Sequence, residues 1–245
     1  MHIELKEGSR HVFQKLRRIN KEHLPVLKEE LNKLLKAGLI YLVVHSDWAN
    51  PAVIVPKHTG GWRVCVNYKL LNAATKSNHY PLPFVDDILD EVAGYESYSV
   101  CDGYSGYFQI AIAEKDQIKT TFITPWGCFH YKVVPFDLKN APSWYQKNTD
   151  KVLTPFIGKF VRVFLDDICV YSSKKEHADK LEQVFQRMDE AGGQLNPKKC
   201  FLGCSKLKLL GHVVSQNGIE LDPEKLKALI LLPSLEELRA HFGAL

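Results

Sequence analysis

VRVFLDDICVYS, Val161–Ser172, is the stretch that decides the fold. Val161, Val163, Phe164 and Leu165 are apolar and β-prone, and Ile168, Cys169, Val170 and Tyr171 are residues of the same kind. Asp166 and Asp167 stand between the two runs. Two short apolar strands joined at a polar point predict a tight hairpin. Such a hairpin lifts both acids to the tip of an otherwise buried sheet. Carboxylates there repel each other and lose solvation, so a cation is expected between them. A hard divalent ion such as magnesium prefers carboxylate oxygens and keeps water or phosphate as its other ligands. A solvated acidic turn explains the same residues, because Asp is common in turns.

The chain has 245 residues, enough for one large domain or two to three subdomains around a shared core. With 45% hydrophobic and 24% charged residues it reads as globular and soluble. A net charge of +4 permits a polyanionic partner without demanding one. Of the cysteines, Cys65, Cys101 and Cys169 lie in apolar runs, as buried reduced thiols of an intracellular protein would. Cys200, Cys204 and His212 lack the spacing of a zinc knuckle and an obvious fourth ligand. The opening MHIELKEGSRHVF has no apolar segment, so no signal peptide is expected. The runs Leu39–Val44 and Ala228–Leu232 are far too short to span a bilayer, and no membrane partner is expected.

Residues 1–20 read as an extended lead-in, and Pro25 opens a helix that Gly38 stops. Ala52–Val55 and Trp62–Val66 form a hairpin across Thr59-Gly60-Gly61, with Lys57 and Arg63 flanking the turn. Two cations near a glycine-rich tip can grip phosphates, or simply decorate an edge. FVDDILDEVAG (84–94) carries Asp86, Asp87 and Asp90 in the DDxxD spacing of isoprenoid synthases. An amphipathic helix with Phe84, Ile88, Leu89 and Val92 on its apolar face accounts for it, and the chain is too strand-rich for that family. Strands are expected at Tyr98–Asp102, Phe108–Ala113, Lys119–Thr124 and Cys128–Val134. A helix capped by Asn140 runs to about Leu153, and another spans Ser173–Ala191 with Ala178, Leu181, Val184, Phe185 and Met188 on one face. Leu207–Val214 reads as a strand, Asn217-Gly218 as a turn, and Asp222-Pro223-Glu224 as the cap of a last helix.

Asp102 ends one strand and Asp166 and Asp167 sit on a hairpin. If those strands are neighbours, three carboxylates converge, and such a cluster can hold two magnesium ions ~3.5–4 Å apart for in-line phosphoryl transfer. A two-metal nuclease fits the acids alone but leaves Lys57, Arg63 and Tyr107 unexplained.

Several motifs recur in a fixed order: GWRVCVNYKLLN (61–72), YPLP (80–83), Asp102-x-x-SGY through Tyr107, KTTF (119–122), PFDLKNAPSWYQ (135–146), VFLDD with VYS (163–172), NPKKC (196–200) and LLGHVVSQNGI (209–219). With these the chain resembles the reverse transcriptase of gypsy-type (Metaviridae) LTR retrotransposons, from about Ile3 onward. The resemblance implies an α/β (α+β) right-hand polymerase with fingers, a split βαβ palm sheet covered by helices on one face, and a truncated thumb. It assigns residues 1–78 to the lead-in and fingers, 79–109 to the palm, 110–147 to the fingers again, 148–220 to the palm with a primer-grip hairpin, and 221–245 to the start of the thumb. Asp102, Asp166 and Asp167 match the catalytic metal-binding acids, served by two magnesium ions or by manganese. Lys57 and Arg63 match the residues on the triphosphate, Gly103 and Tyr107 the nucleotide pocket, with the Tyr107 ring under the sugar, and Phe136 the PFGL box. Leu210, Gly211 and His212 match the hairpin that holds the primer end. The implied partners are a primed RNA or DNA template and deoxynucleoside triphosphates. The implied location is the cytoplasm, in a virus-like particle, or the nucleus.

Three departures stand out. Asp137 occupies the glycine position of PFGL, where an acid adds repulsion toward a triphosphate and a side chain restricts backbone approach. Asn67 and Lys69 replace the charged pair of VDYR. The thumb is expected to stop short, with no ribonuclease H, integrase or protease segment. A catalytically decayed, nucleic-acid-binding remnant of the same fold is therefore the alternative to an active polymerase.

Overall fold

The computed structural model describes residues 1–56, 61–103, 106–224 and 227. In chain order the elements are α1 (Leu24–Lys36), β1 (Ile40–Val43), β2 (Asn50–Pro56), β3 (Trp62–Val66), α2 (Lys69–Ala74), α3 (Val85–Val92) and β4 (Ser97–Asp102). There follow α4 (Glu114–Gln117), β5 (Phe122–Thr124), β6 (Gly127–Tyr131), α5 (Ala141–Leu153), β7 (Val161–Phe164), β8 (Asp167–Ser172) and α6 (His177–Glu190). The last strands are β9 (Phe201–Cys204), β10 (Lys206–Leu209), β11 (His212–Ser215) and β12 (Gly218–Leu221). Among the described residues no helix is long and apolar enough to cross a membrane.

The chain divides into two compact units. One comprises Met1–Leu82, Gly103–Val152 and Gly192–Gln194, and the other Pro83–Asp102, Leu153–Ala191 and Leu195–Leu245. One division thus falls at the peptide bond between Asp102 and Gly103.

The first unit is built on a five-stranded sheet in the order β1-β6-β5-β2-β3, antiparallel except for the β2–β5 pair. Its core holds Ile3, Leu27, Leu31, Ile40, Tyr68, Leu71, Phe122 and Tyr131. Helix α1 buries Leu27 and Leu31, four residues apart on one face, and ends before Gly38, whose φ of +68° suits a residue without Cβ. Of the expected strands, Phe108–Ala113 is not a strand, and Lys119–Thr124 is one only from Phe122 onward. Gly106–Gln109 is a tight 3₁₀ turn, and of 108–113 only Ala111 bridges, to Val133. The turn lets the Tyr107 and Phe108 rings pack edge-on against Phe136 at 5.8 and 5.5 Å. Residues 114–120 are helical because the buried Asp116 carboxylate gathers the Ile3 N–H (3.1 Å) and the Lys119 ammonium (2.5 Å). Asn140 stands at the N-cap position of α5, where its carbonyl accepts from Trp144 N–H at 3.0 Å, while its side chain works elsewhere. Its amide accepts from Asn78 N–H at 3.0 Å and donates to the Lys76 carbonyl at 2.8 Å, tying down 76–78.

The second unit holds a four-stranded antiparallel sheet, β7-β8-β4-β9, and a three-stranded meander, β10-β11-β12. Side chains of paired residues share a face. Tyr98 and Val100 of β4, with Tyr171 and Cys169 opposite them, pack in one core with Ile88, Leu89 and Val92 of α3 and Leu207, Leu209 and Val214 of the meander. Ser97, Ser99 and Ser172 point to the other face, where His177 of α6 bonds both Ser99 and Ser172. Within the expected palm-like architecture one detail therefore differs, since α3 and α6 take opposite faces of the sheet. Asp86, Asp87 and Asp90 are exposed as an amphipathic helix requires, but Phe84 is exposed too. On α6, His177, Leu181, Val184 and Met188 are buried while Ala178 and Phe185 face outward, so the buried stripe is narrower than the sequence reading had it. The expected strand Leu207–Val214 is two strands, turned at Leu210 (φ 49°) and Gly211 (φ 80°). Two consecutive left-handed residues match the twist of a two-residue hairpin, and the glycine signal lies only at the second of them.

Candidate active site

Apolar alternation along β7 and β8 buries Val161, Val163, Ile168 and Val170 and fixes the register of the hairpin. Phe164 pairs with Asp167, so the two-residue turn is Leu165-Asp166. Asp167 is accordingly the first residue of β8 rather than part of the tip. Leu165 takes φ 55°, a left-handed conformation costing a bulky residue about 1–2 kcal/mol. Asp166 is exposed, and Asp167 is partly buried.

The β4–β8 ladder places Asp102 directly opposite Asp167. Opposed residues in such a ladder have Cβ atoms about 4.5–5.5 Å apart, where like charges destabilise. Burial pushes the Asp167 carboxyl up to about 6, and the neighbouring charges of Asp166 and Asp102 push it the same way, while Lys199 opposes them. Lys199 reaches in from NPKKC and sets its ammonium 3.0 Å from the Asp102 carboxylate. The segment is anchored there by Asn196, whose N–H donates to the Asp102 carbonyl at 2.8 Å and whose side chain accepts from Lys198 N–H. A cation among the acids, which the sequence leads one to expect, is thus supplied on one side by the chain's own lysine. Among the described residues no three His, Cys, Asp or Glu side chains stand as a ready-made metal cluster. Asp102 and Asp167 are brought together, and Asp166 is next to them along the turn.

In the other unit, Arg63 lies over the Phe136 ring at 5.9 Å, and Tyr107 packs edge-on against both Phe136 and Tyr145 at 5.8 Å. Three of the residues assigned to the nucleotide thus share one cluster. A Cβ at Gly103 would stand 2.1 Å from the Tyr145 hydroxyl, so a side chain there requires Tyr145 to move. Lys57 lies outside the described residues. Asp137 takes φ 72°, the conformation glycine adopts freely, and its carboxylate accepts from Tyr68 N–H at 3.4 Å. Its carbonyl accepts from the Asn72 amide at 2.6 Å, and Asn72 in turn accepts from Lys139 N–H. In the palm-like unit Leu210 and Gly211 form the β10–β11 turn, and His212 begins β11 with Nδ1 3.3 Å from the Leu210 carbonyl.

Sequence reasoning assigned no role to Lys199, Asn196 or Tyr145. The first two belong to the NPKKC motif, but their meaning depends on a pairing between segments 97 positions apart.

Residues 55–214 match the family model described as "Reverse transcriptase (RNA-dependent DNA polymerase)". The chain is 31% identical over 95% of its length to the "Retrovirus-related Pol polyprotein from transposon 297" of Drosophila melanogaster. It is 32% identical over 89% to that from transposon opus of the same organism. It spans 23% and 22% of those polyproteins. Its fold is similar to that of the foamy viral protease-reverse transcriptase solved in complex with an RNA/DNA hybrid. The TM-score is 0.84 at 24% identity, covering 99% of this chain and 33% of that one.

Proposed function

We propose, on the premise that this chain belongs to the reverse transcriptase (RNA-dependent DNA polymerase) family, that it adds deoxynucleoside triphosphates to a primer 3′-hydroxyl on an RNA or DNA template. The observation that carries the reading is the placement of Asp102 opposite Asp167, with Asp166 adjoining. Folding gains nothing from like charges so placed. Carboxylate oxygens without sulfur or imidazole among them are the donor set of a hard divalent ion, so the residues fit magnesium, with manganese as a substitute. Asp102, Asp166 and Asp167 would hold two such ions, which when bound neutralise charge on the attacking and leaving oxygens.

The remaining roles belong to the chain's own groups. Asp167, raised to about 6, is ionised at neutral pH and able to ligate. Lys199 holds Asp102 in place through its ion pair. Arg63, over the Phe136 ring, presents a planar charged fork to the triphosphate, and Lys57 is assigned the same role. Tyr107 lies under the sugar and excludes a 2′-hydroxyl, while Leu210, Gly211 and His212 hold the primer end. Positioning and charge neutralisation carry such a transfer, and little general base chemistry is required.

Primer extension on poly(rA)/oligo(dT) tests this. Incorporation of dTMP with magnesium or manganese, abolished in Asp166→Asn with an unchanged circular dichroism spectrum, is the expected result. Duplex binding without incorporation supports the second reading, a decayed nucleic-acid-binding remnant, which the acid at position 137 favours. Cleavage of nucleic acid without nucleotides present would point instead to a nuclease.

A further inference from the structure

Beside the acids lies a feature that polymerisation does not use. Cys101 immediately precedes Asp102, and Cys200 immediately follows Lys199. Val100 pairs with Phe201 across antiparallel strands, the last pair toward this end, and Cys101 and Cys200 are the next residue on either side. The Cys200 thiol is close enough to add to the upward push that burial gives the Cys101 thiol. Cα atoms opposed in an antiparallel pair stand about 4.5–5.5 Å apart, inside the 4.4–6.8 Å window that a disulfide needs. Both thiols are free. Cys101 is fully buried and Cys200 is partly exposed, so only one of the pair can be reached from solvent. That asymmetry separates an attacking sulfur from a resolving one. The backbone around the pair is already held, since Asn196 N–H bonds the Asp102 carbonyl and Gly203 N–H bonds the Ser99 hydroxyl at 2.9 Å.

We propose that Cys101 and Cys200 form a modification site that hydrogen peroxide closes into an intramolecular disulfide. The Cys200 sulfur attacks the peroxide, forming an S–O bond as the O–O bond breaks and the first water leaves, which gives a sulfenic acid. The Cys101 sulfur then attacks that sulfur. The S–S bond forms, the S–O bond breaks, and the hydroxyl departs with the Cys101 proton as a second water. Two thiols are oxidised and one peroxide is reduced to two waters. The tie joins the residue before Asp102 to the residue after Lys199, so closure fixes that ion-paired end of β4. This inference stands apart from the polymerase reading and survives its failure.

The test treats the reduced chain with hydrogen peroxide, alkylates the remaining thiols and maps the digest by mass spectrometry. Of six thiols, four should remain alkylatable, with a peptide containing Cys101 cross-linked to one containing Cys200 and released by dithiothreitol. Cys204→Ser should leave that cross-link intact, and Cys200→Ser should abolish it. Cys101→Ser should leave a dimedone-trappable sulfenic acid at Cys200. Because Cys101 is buried and its replacement can unfold the chain, the Cys200 and Cys204 variants carry the decision. Six alkylated thiols after peroxide, a cross-link to Cys204, or sulfinic acid at Cys200 with Cys101 still free would each overturn the proposal.

Discussion

The two ends of the β4–β8 ladder solve opposite problems. Toward its Ser97–Ser172 end, His177 is buried with Nε2 2.7 Å from the Ser99 hydroxyl and Nδ1 2.7 Å from that of Ser172. The Gly203 N–H donates to Ser99, and Ser172 donates to the Ser173 carbonyl. Every group in that network is matched by a neutral imidazole. At the other end, Asp102 and Asp167 face each other with one exposed lysine between them and the solvent. The same ladder is completed for stability at one end and left electrostatically unfinished at the other, and the unfinished end is where ligands of opposite charge gain most.

Replacing acids at the unfinished end should cost activity and not stability. Asp102→Asn and Asp167→Asn should each lower primer extension by more than about 100-fold, since a ligand matters at least as much as the groups that merely orient ligands. Melting in the absence of divalent ions should be unchanged or raised, and a lowered melting temperature would erase the contrast. His177→Ala should do the reverse. It orphans two buried hydroxyls and opens a cavity, so urea denaturation should show a loss of about 3 kcal/mol.

The two ends should also answer pH with opposite signs. Burial lifts Asp167 from 3.8 to about 6, so the folded chain binds the proton more tightly than the unfolded one. Its contribution is fully present below about pH 4 and is lost as pH rises through about 6, on the order of 1 kcal/mol after solvent screening. Burial lowers His177 from 6.5, with the charge of Lys180 adding to the effect, so its contribution is present above 6.5 and fades as pH falls. Denaturant titrations from pH 4 to 7 on Asp167→Asn and His177→Ala should therefore move the slope in opposite directions. Asp137→Gly should stabilise by about 0.5–1 kcal/mol through relief of its left-handed conformation. It should also raise incorporation by removing an acid from the nucleotide side; an equal or slower rate would mean that the bond to Tyr68 matters more. The smallest effect belongs to Lys199→Met, which removes the one cation opposing the upward shift of Asp167. A carboxyl titration followed by NMR should then place Asp167 above 6.

What could be read in the sequence was what neighbouring residues decide. The 161–172 hairpin was legible because its alternation and its polar break lie within twelve positions. The stop at Gly38 was legible because one residue type suits its φ. The strand expected at 108–113 failed because its apolar residues are satisfied by ring packing and a single bridge, which alternation alone does not distinguish from a ladder. Leu210 hid a turn because nothing about leucine announces a positive φ. Lys199 was invisible because its partner is set by the β4–β9 pairing and not by spacing.

The hydroxyl of Tyr145 occupies the room that any side chain at position 103 would need. A genetic selection would expose that constraint. Revertants of Gly103→Ala should arise at codon 145, with phenylalanine among the first recovered, because removing one oxygen returns the missing volume. Two positions far apart in the gene would then mutate as a linked pair.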